Sequence, residues 1–135
     1  EDNRRIVKDK YTNIISDTLC NDGGLPHPRV YGSFPRVLET FVREEGILTV
    51  EEAVMKMTSV AARVYGLNTK GVLAEGMDAD IVVFDKDTVG TKATYTDSKQ
   101  LATGYDYVIV NGAVTVKDDC LLPDVKNGTV LLHKR

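Results

Sequence analysis

The sequence predicts an α/β chain that changes texture near residue 67, from strand, loop and helices to a β module. Three observations carry this. Apolar residues recur at intervals of three and four from Val50 to Val64, the period of a helix. Asn111-Gly112 stands between Tyr107-Val108-Ile109-Val110 and Ala113-Val114-Thr115-Val116, the pattern of a two-residue hairpin in which both turn residues tolerate positive φ. A short run, Tyr11-Thr12-Asn13-Ile14-Ile15-Ser16, ends at Asp17 and gives way to a polar loop containing Gly23 and Gly24.

Taken in order, residues 2–10 are charged, with Ile6 and Val7 as apolar anchors, and suit the end of a surface helix. The run before Asp17 reads as a buried strand. After the loop, Pro35 stands where prolines begin helices, and Val37, Leu38, Phe41 and Val42 follow at helical spacing until Gly46. Thr49 and Glu52 form a capping box, in which each side chain satisfies a backbone donor of the first turn. The face made by Val50, Ala53, Val54, Met57, Val60, Ala61 and Val64 is expected to be core, with Gly66 as the stop. Thr58 or Ser59 is a candidate break, because hydroxyl side chains compete for backbone groups.

From Gly71 onward, Val72-Leu73-Ala74 and Ile81-Val82-Val83-Phe84 read as two strands. Residues 86–104 read as a long loop, and Val130-Leu131-Leu132 as a last strand.

Composition excludes several function classes. Twenty acids against 17 bases leave a net charge of −3 with no basic stripe, so neither nucleic acid nor an anionic membrane is an expected partner. No apolar run approaches the roughly 20 residues of a membrane helix, and Glu1-Asp2-Asn3-Arg4-Arg5 is not a signal peptide. A soluble cytoplasmic protein is the expectation. Cys20 and Cys120 stand 100 positions apart without CxxC spacing, no histidine is near Cys120, and both are expected as free thiols. A start at Glu1 in mid-element suggests a fragment of something longer.

Candidate site residues each have a bland reading. An acid at the carboxyl end of a buried strand sits where barrel enzymes place their chemistry, yet Asp17 alone also fits an Asx turn. Arg29 alone fits a surface charge. His27, between prolines, fits a solvated or supporting role better than metal ligation. Cys20 has no histidine placed to activate it. Gly23 and Gly24 lack the Lys-Ser/Thr of a phosphate loop and serve to bend the chain. Asp78 and Asp80, without further oxygen ligands in series, read as turn residues rather than a cation site.

The string His27-Pro28-Arg29-Val30-Tyr31-Gly32-Ser33-Phe34-Pro35-Arg36-Val37-Leu38, following Ser16-Asp17, resembles the N-acyl-D-amino-acid deacylases, the D-aminoacylases of the amidohydrolase superfamily. So do Leu48-Thr49-Val50-Glu51-Glu52-Ala53-Val54, Met57-Thr58-Ser59, Ala61-Ala62-Arg63, Gly66-Leu67, Gly76-Met77-Asp78-Ala79-Asp80-Ile81-Val82-Val83-Phe84-Asp85 and Val110-Asn111-Gly112, in the same order. The likeness runs from about residue 12 onward. Ala79 to Asp85 marks only the superfamily, whereas the segment from His27 to Leu38 is narrower.

The resemblance implies an α/β fold made of the last strand and helices of a (β/α)8 amidohydrolase barrel plus the C-terminal part of a small β-sandwich. Residues 1–66 would be the end of the catalytic barrel and residues 67–135 the sandwich part. It further implies a zinc enzyme that hydrolyses N-acyl-D-amino acids to a carboxylate and a D-amino acid. Asp17 would take a proton from the attacking water and deliver it to the leaving nitrogen, with contact to the metal left open. Arg29 would grip the substrate carboxylate through its planar fork.

Most metal ligands are missing, since the only histidines are His27 and His133. The isolated fragment is therefore expected to be inactive, without tightly bound zinc, and to need the missing N-terminal part of the same enzyme. Two alternatives stand beside this reading. One is a hydantoinase-like or dihydroorotase-like amidohydrolase acting on cyclic amides. The other is an inert scaffold whose unpaired strand edges favour self-association.

Overall fold

The computed structural model describes residues 1–17 and 24–132; the expectations for Cys20, Gly23 and His133 lie outside the described residues. Helix α1 (Asp2–Lys8) leads into a strap without regular secondary structure over 12–17. Helix α2 (Arg29–Arg36) runs directly into a π-helix (Val37–Glu44). Helices α3 (Val50–Met57) and α4 (Ser59–Tyr65) follow. The β part holds β1 (Ile81–Phe84), β2 (Gly90–Thr91), β3 (Ala102–Thr103), β4 (Tyr105–Val110), β5 (Ala113–Lys117) and β6 (Cys120–Leu121).

Local chemistry explains most boundaries. Thr49 Oγ1 accepts from the Glu52 amide at 3.1 Å while Glu52 Oε2 accepts from the Thr49 amide at 2.9 Å, so the expected capping box starts α3. The expected break falls at Thr58, whose φ of −130° and ψ of −86° leave the helical region. Gly66, at φ +68°, closes α4, with the Leu67 amide reaching back to the Ala62 carbonyl at 2.8 Å. Asn111 and Gly112, at φ +51° and +82°, make the expected hairpin turn between β4 and β5.

Six expectations are corrected. The strand before Asp17 does not form, because no neighbouring strand among the described residues receives its backbone groups. The strap is tied instead to α3, with the Ile14 amide donating to the Lys56 carbonyl at 3.1 Å. Pro35 lies inside α2 rather than at its start: the helix opens at Arg29, where the His27 carbonyl takes the Val30 amide at 3.0 Å. The missing amide of Pro35 removes one rung just before the backbone widens into the π-helix. Residues 72–74 and 130–132 are not strands, and their side chains are exposed.

The long loop of 86–104 contains the pair β2–β3. The apolar face of 50–64 is core only at its first half. The break at Thr58 rotates α4, so Ala62 is buried while Val64 is 70% exposed.

Strands β1, β4, β5 and β6 form an antiparallel sheet in the order β1-β4-β5-β6, open at both edges, and β2–β3 is a separate two-stranded sheet. A bulge in β5 leaves Thr115 as the extra residue, and its hydroxyl donates to the Val108 carbonyl at 3.0 Å. The core cluster of Val37, Leu38, Leu48, Ala53 and Val89 joins the helices to the β2 segment. Ile14, Met57, Phe84 and Tyr105 pack around it.

Close approach fixes how the pieces meet. A side chain at Gly32 would place its Cβ 2.7 Å from Thr91 Oγ1, and one at Gly104, where φ is +83°, would come within 2.5 Å of the Val89 backbone. Arg43 Nη1 donates to the Val89 carbonyl at 2.5 Å and is paired with Glu39 at 3.8 Å. Asp119 accepts from the Gly104 and Tyr105 amides at 3.0 and 2.7 Å, which fixes the entry to β4.

The hairpin turn is locked by charge. Lys70 bridges Asp80 and Asp78, the latter at 3.0 Å, and Asp80 Oδ1 accepts the Asn111 amide at 2.7 Å. The Lys70 ammonium and then the Asn111 amide hold the Asp80 carboxyl below its usual range. The Thr69 hydroxyl, followed by Lys70, does the same for Asp78, while the two carboxylates raise Lys70. Both Asp78 and Asp80 thus read as structural.

Two outcomes follow. Thr49→Ala is expected to lower stability by about 1 kcal/mol, read from the denaturant midpoint at unchanged slope. The lock should also be pH dependent. Folded-state carboxyl values below those of the unfolded chain give a stabilisation that is complete above the unfolded values and lost as pH falls through the folded ones. Acidification below about pH 4 should therefore lower the protection of the Asn111 amide relative to its intrinsic exchange rate, and Asp80→Asn should weaken that pH dependence, leaving the part that Asp78 contributes.

Candidate active site

The strap and the start of α2 bring the two sequence-predicted site residues together. Arg29 Nη2 lies 3.4 Å from Asp17 Oδ2, with the side chains 46% and 74% exposed. The approach is built from both sides. On the strap, the Ser16 hydroxyl reaches the Ser33 hydroxyl at 3.5 Å, one residue before the acid. On α2, Ser33 Oγ donates to the Arg29 carbonyl at 2.7 Å, one turn earlier. Ser33 therefore touches the neighbour of Asp17 and the backbone of Arg29, and hooks the strap to the helix that carries the arginine.

His27 is engaged at the start of α2. Its Nδ1 accepts the Arg29 amide at 3.1 Å, which satisfies one of the donors left open at the start of α2. Its ring meets Tyr95 edge to face, with centroids 5.0 Å apart and planes at 82°. The bend supplied by Gly24 uses a φ of +93°, open to glycine and strained for other residues. Cys20 and Gly23 lie outside the described residues, and Cys120 is an exposed free thiol.

An ion pair this exposed is weak, on the order of 0–1 kcal/mol, since water screens the charges and holding two side chains costs entropy. Weakness has a chemical consequence: an incoming carboxylate can replace Asp17 on the guanidinium without a large penalty. The arrangement thus offers a carboxylate able to move a proton beside a cation able to hold an anionic ligand. Among the described residues no group of three or more His, Cys, Asp and Glu is placed to hold a metal ion.

Reasoning from the sequence missed three residues that shape this site: Ser33, Tyr95 and Lys56. Ser33 and Tyr95 gave no signal, since each matters only through a distant partner. Lys56 did give one, as a charged residue three positions after Ala53 on an otherwise apolar helix face.

The profile of the Amidohydrolase family matches residues 16–116. The chain belongs to that family. It is 50% identical over 109 residues to an N-acyl-D-glutamate deacylase of Alcaligenes xylosoxydans xylosoxydans, covering 81% of this chain and 22% of that protein. A D-aminoacylase of the same organism is 45% identical over 112 residues, covering 83% and 23%. A dihydroorotase of Lactobacillus johnsonii is 38% identical over only 53 residues, 39% of this chain and 12% of its own.

Among solved structures, a D-aminoacylase described as defining a novel subset of amidohydrolases superposes with a TM-score of 0.83 at 40% identity, over 90% of this chain and 25% of that one. The N-acyl-D-glutamate deacylase of Bordetella bronchiseptica, solved with zinc and a phosphonate mimic of the tetrahedral intermediate, gives 0.65 at 49% identity, over 67% and 19%. The α/β fold is therefore that of D-aminoacylase structures, and the chain spans about a fifth to a quarter of the length of these relatives. Among the described residues no helix is long and apolar enough to cross a membrane.

If the pair is as weak as its exposure implies, Asp17→Asn should shift stability by less than about 0.5 kcal/mol, measured by denaturant unfolding.

Proposed function

We propose that this chain is the C-terminal part of a metal-dependent hydrolase that cleaves the amide bond of N-acyl-D-amino acids. The observation that carries the reading is the 3.4 Å approach of Arg29 to Asp17, on a chain half identical to an acyl-D-amino-acid deacylase. Arg29 holds the substrate's α-carboxylate, displacing Asp17 from the guanidinium. The freed Asp17 carboxylate accepts a proton from the water whose oxygen attacks the amide carbon, then delivers it to the nitrogen as the C–N bond breaks. Carboxylate and free D-amino acid leave.

The same proposal covers the architecture. Residues 1–66 close a (β/α)8 barrel, where the strap gains strand neighbours, and residues 67–135 complete a small β-sandwich. Zinc fits the described residues only in part. Asp17 offers one oxygen donor, and no group of three or more ligating side chains accompanies it, so the proposal assigns the remaining ligands to the rest of the enzyme. That missing part also suits the exposed apolar surface: Leu73 is 78% exposed, and Val82 and Val83 on edge strand β1 are 50% and 41% exposed. Left uncovered, the same edges favour self-association of the isolated piece. A cytoplasmic setting belongs to the proposal and is supported by the free thiol of Cys120.

A cyclic-amide hydrolase is the second reading, favoured by the short dihydroorotase match. Assay of the full-length protein separates the two. Turnover of N-acyl-D-glutamate, N-acyl-D-aspartate or neutral N-acyl-D-amino acids is expected, with dihydroorotate and hydantoins inert; the reverse pattern overturns the proposal. Asp17→Asn should lower kcat by about 10²–10⁴-fold. Arg29→Lys should mainly raise KM, by about tenfold, since a lysine cannot supply two parallel donors.

A further inference from the structure

Lys56 is a charged side chain in the interior, only 4% exposed. Its ammonium group donates to the carbonyl of Asp9, to the carbonyl of Thr12 at 3.0 Å and to Thr12 Oγ1 at 3.4 Å. Three protons meet three oxygens, one on Asp9 at the end of α1 and two on Thr12 at the start of the strap that leads to Asp17. A buried ammonium is tolerated when every donor is satisfied, and no carboxylate is needed if oxygen dipoles surround it.

The backbone of the same residue adds a fourth link through the Ile14 amide, and the Thr12 hydroxyl in turn donates to the carbonyls of Ile6 and Asp9 at 2.7 and 2.9 Å. Residues 9–14 are thereby fixed to α3, while Arg29 is carried by α2.

We propose that Lys56 is a positioning residue for Asp17: its carbonyl cage tethers the strap to α3 and so sets where the carboxylate stands relative to Arg29. The kinetic consequence rests on the deacylase reading, but the tether itself does not. Removing the ammonium leaves the Thr12 carbonyl without its donor and the Asp9 carbonyl with only the Thr12 hydroxyl and amide, and the strap should loosen from α3. The acid would then move while the carboxylate clamp stays in place, which predicts a fall in kcat at nearly constant KM.

The test is hydrogen exchange and steady-state kinetics on the full-length protein carrying Lys56→Met. Amides of residues 12–17 should exchange about tenfold faster or more, while those of the hairpin around Asn111 stay at wild-type rates. With an acyl-D-amino acid as substrate, kcat should fall by about a hundredfold and KM change by less than about threefold. Unchanged exchange in the strap overturns the proposal, as does equal acceleration throughout the protein, which would make Lys56 a stability residue only.

If Lys56→Met does not fold, Lys56→Gln carries the measurement, since its amide has only two donors, on a shorter side chain, in place of the three of the ammonium. Wild-type strap exchange in that variant also overturns the tether. A wild-type protein that hydrolyses no acyl-D-amino acid defeats the deacylase reading alone, because the exchange result still decides the tether.

Discussion

Val89 is the point on which the helices and the β part depend. It is wholly buried among Val37, Leu38, Leu48 and Ala53, although it belongs to a segment otherwise composed of turns. Fixing a turn in a core requires that its polar backbone be satisfied there, and Arg43 does this by donating to the Val89 carbonyl. It also requires room, which Gly104 gives by having no Cβ against the Val89 backbone. Asp119 then holds Gly104 and Tyr105, so the geometry passes from the core to β4 and the hairpin. One apolar side chain, one guanidinium and one glycine set the relation between α2, the π-helix and the sheet.

The candidate site is assembled from parts that do not share an element. Asp17 rides on a strap held by Lys56 and Ser33, whereas Arg29 rides on a helix start satisfied by His27. Opposite charges attract weakly across exposed space, and a weak pair leaves both groups available. A tightly buried pair would have spent the carboxylate and the cation on each other. The same logic distinguishes Asp78 and Asp80, whose oxygens are engaged with Thr69, Lys70 and Asn111.

Much of the fold was legible because its signals are local. The capping box at Thr49 and Glu52, the break at Thr58, the stop at Gly66 and the Asn111-Gly112 turn each follow from chemistry within a few residues. Misreadings came where the deciding partner is distant. The apolar run before Asp17 has strand chemistry, but a strand exists only with neighbours, and here α3 supplies the hydrogen bonds instead. The fixed φ of Pro35 suits a helix start, yet His27 and Pro28 precede the first turn and the proline falls inside α2, just before the π-helix.

By itself the sequence determined the family, the helix caps, the hairpin and the two charged candidates, since these reside in residue identity and short spacing. The tertiary structure alone decided that Asp17 and Arg29 stand 3.4 Å apart, that Lys56 is buried, and that β2 packs against the helices. Those relations depend on contacts between residues tens of positions apart. Such contacts form only when burial of the shared core outweighs the entropy of closing the chain between them, and no short window of sequence contains that balance.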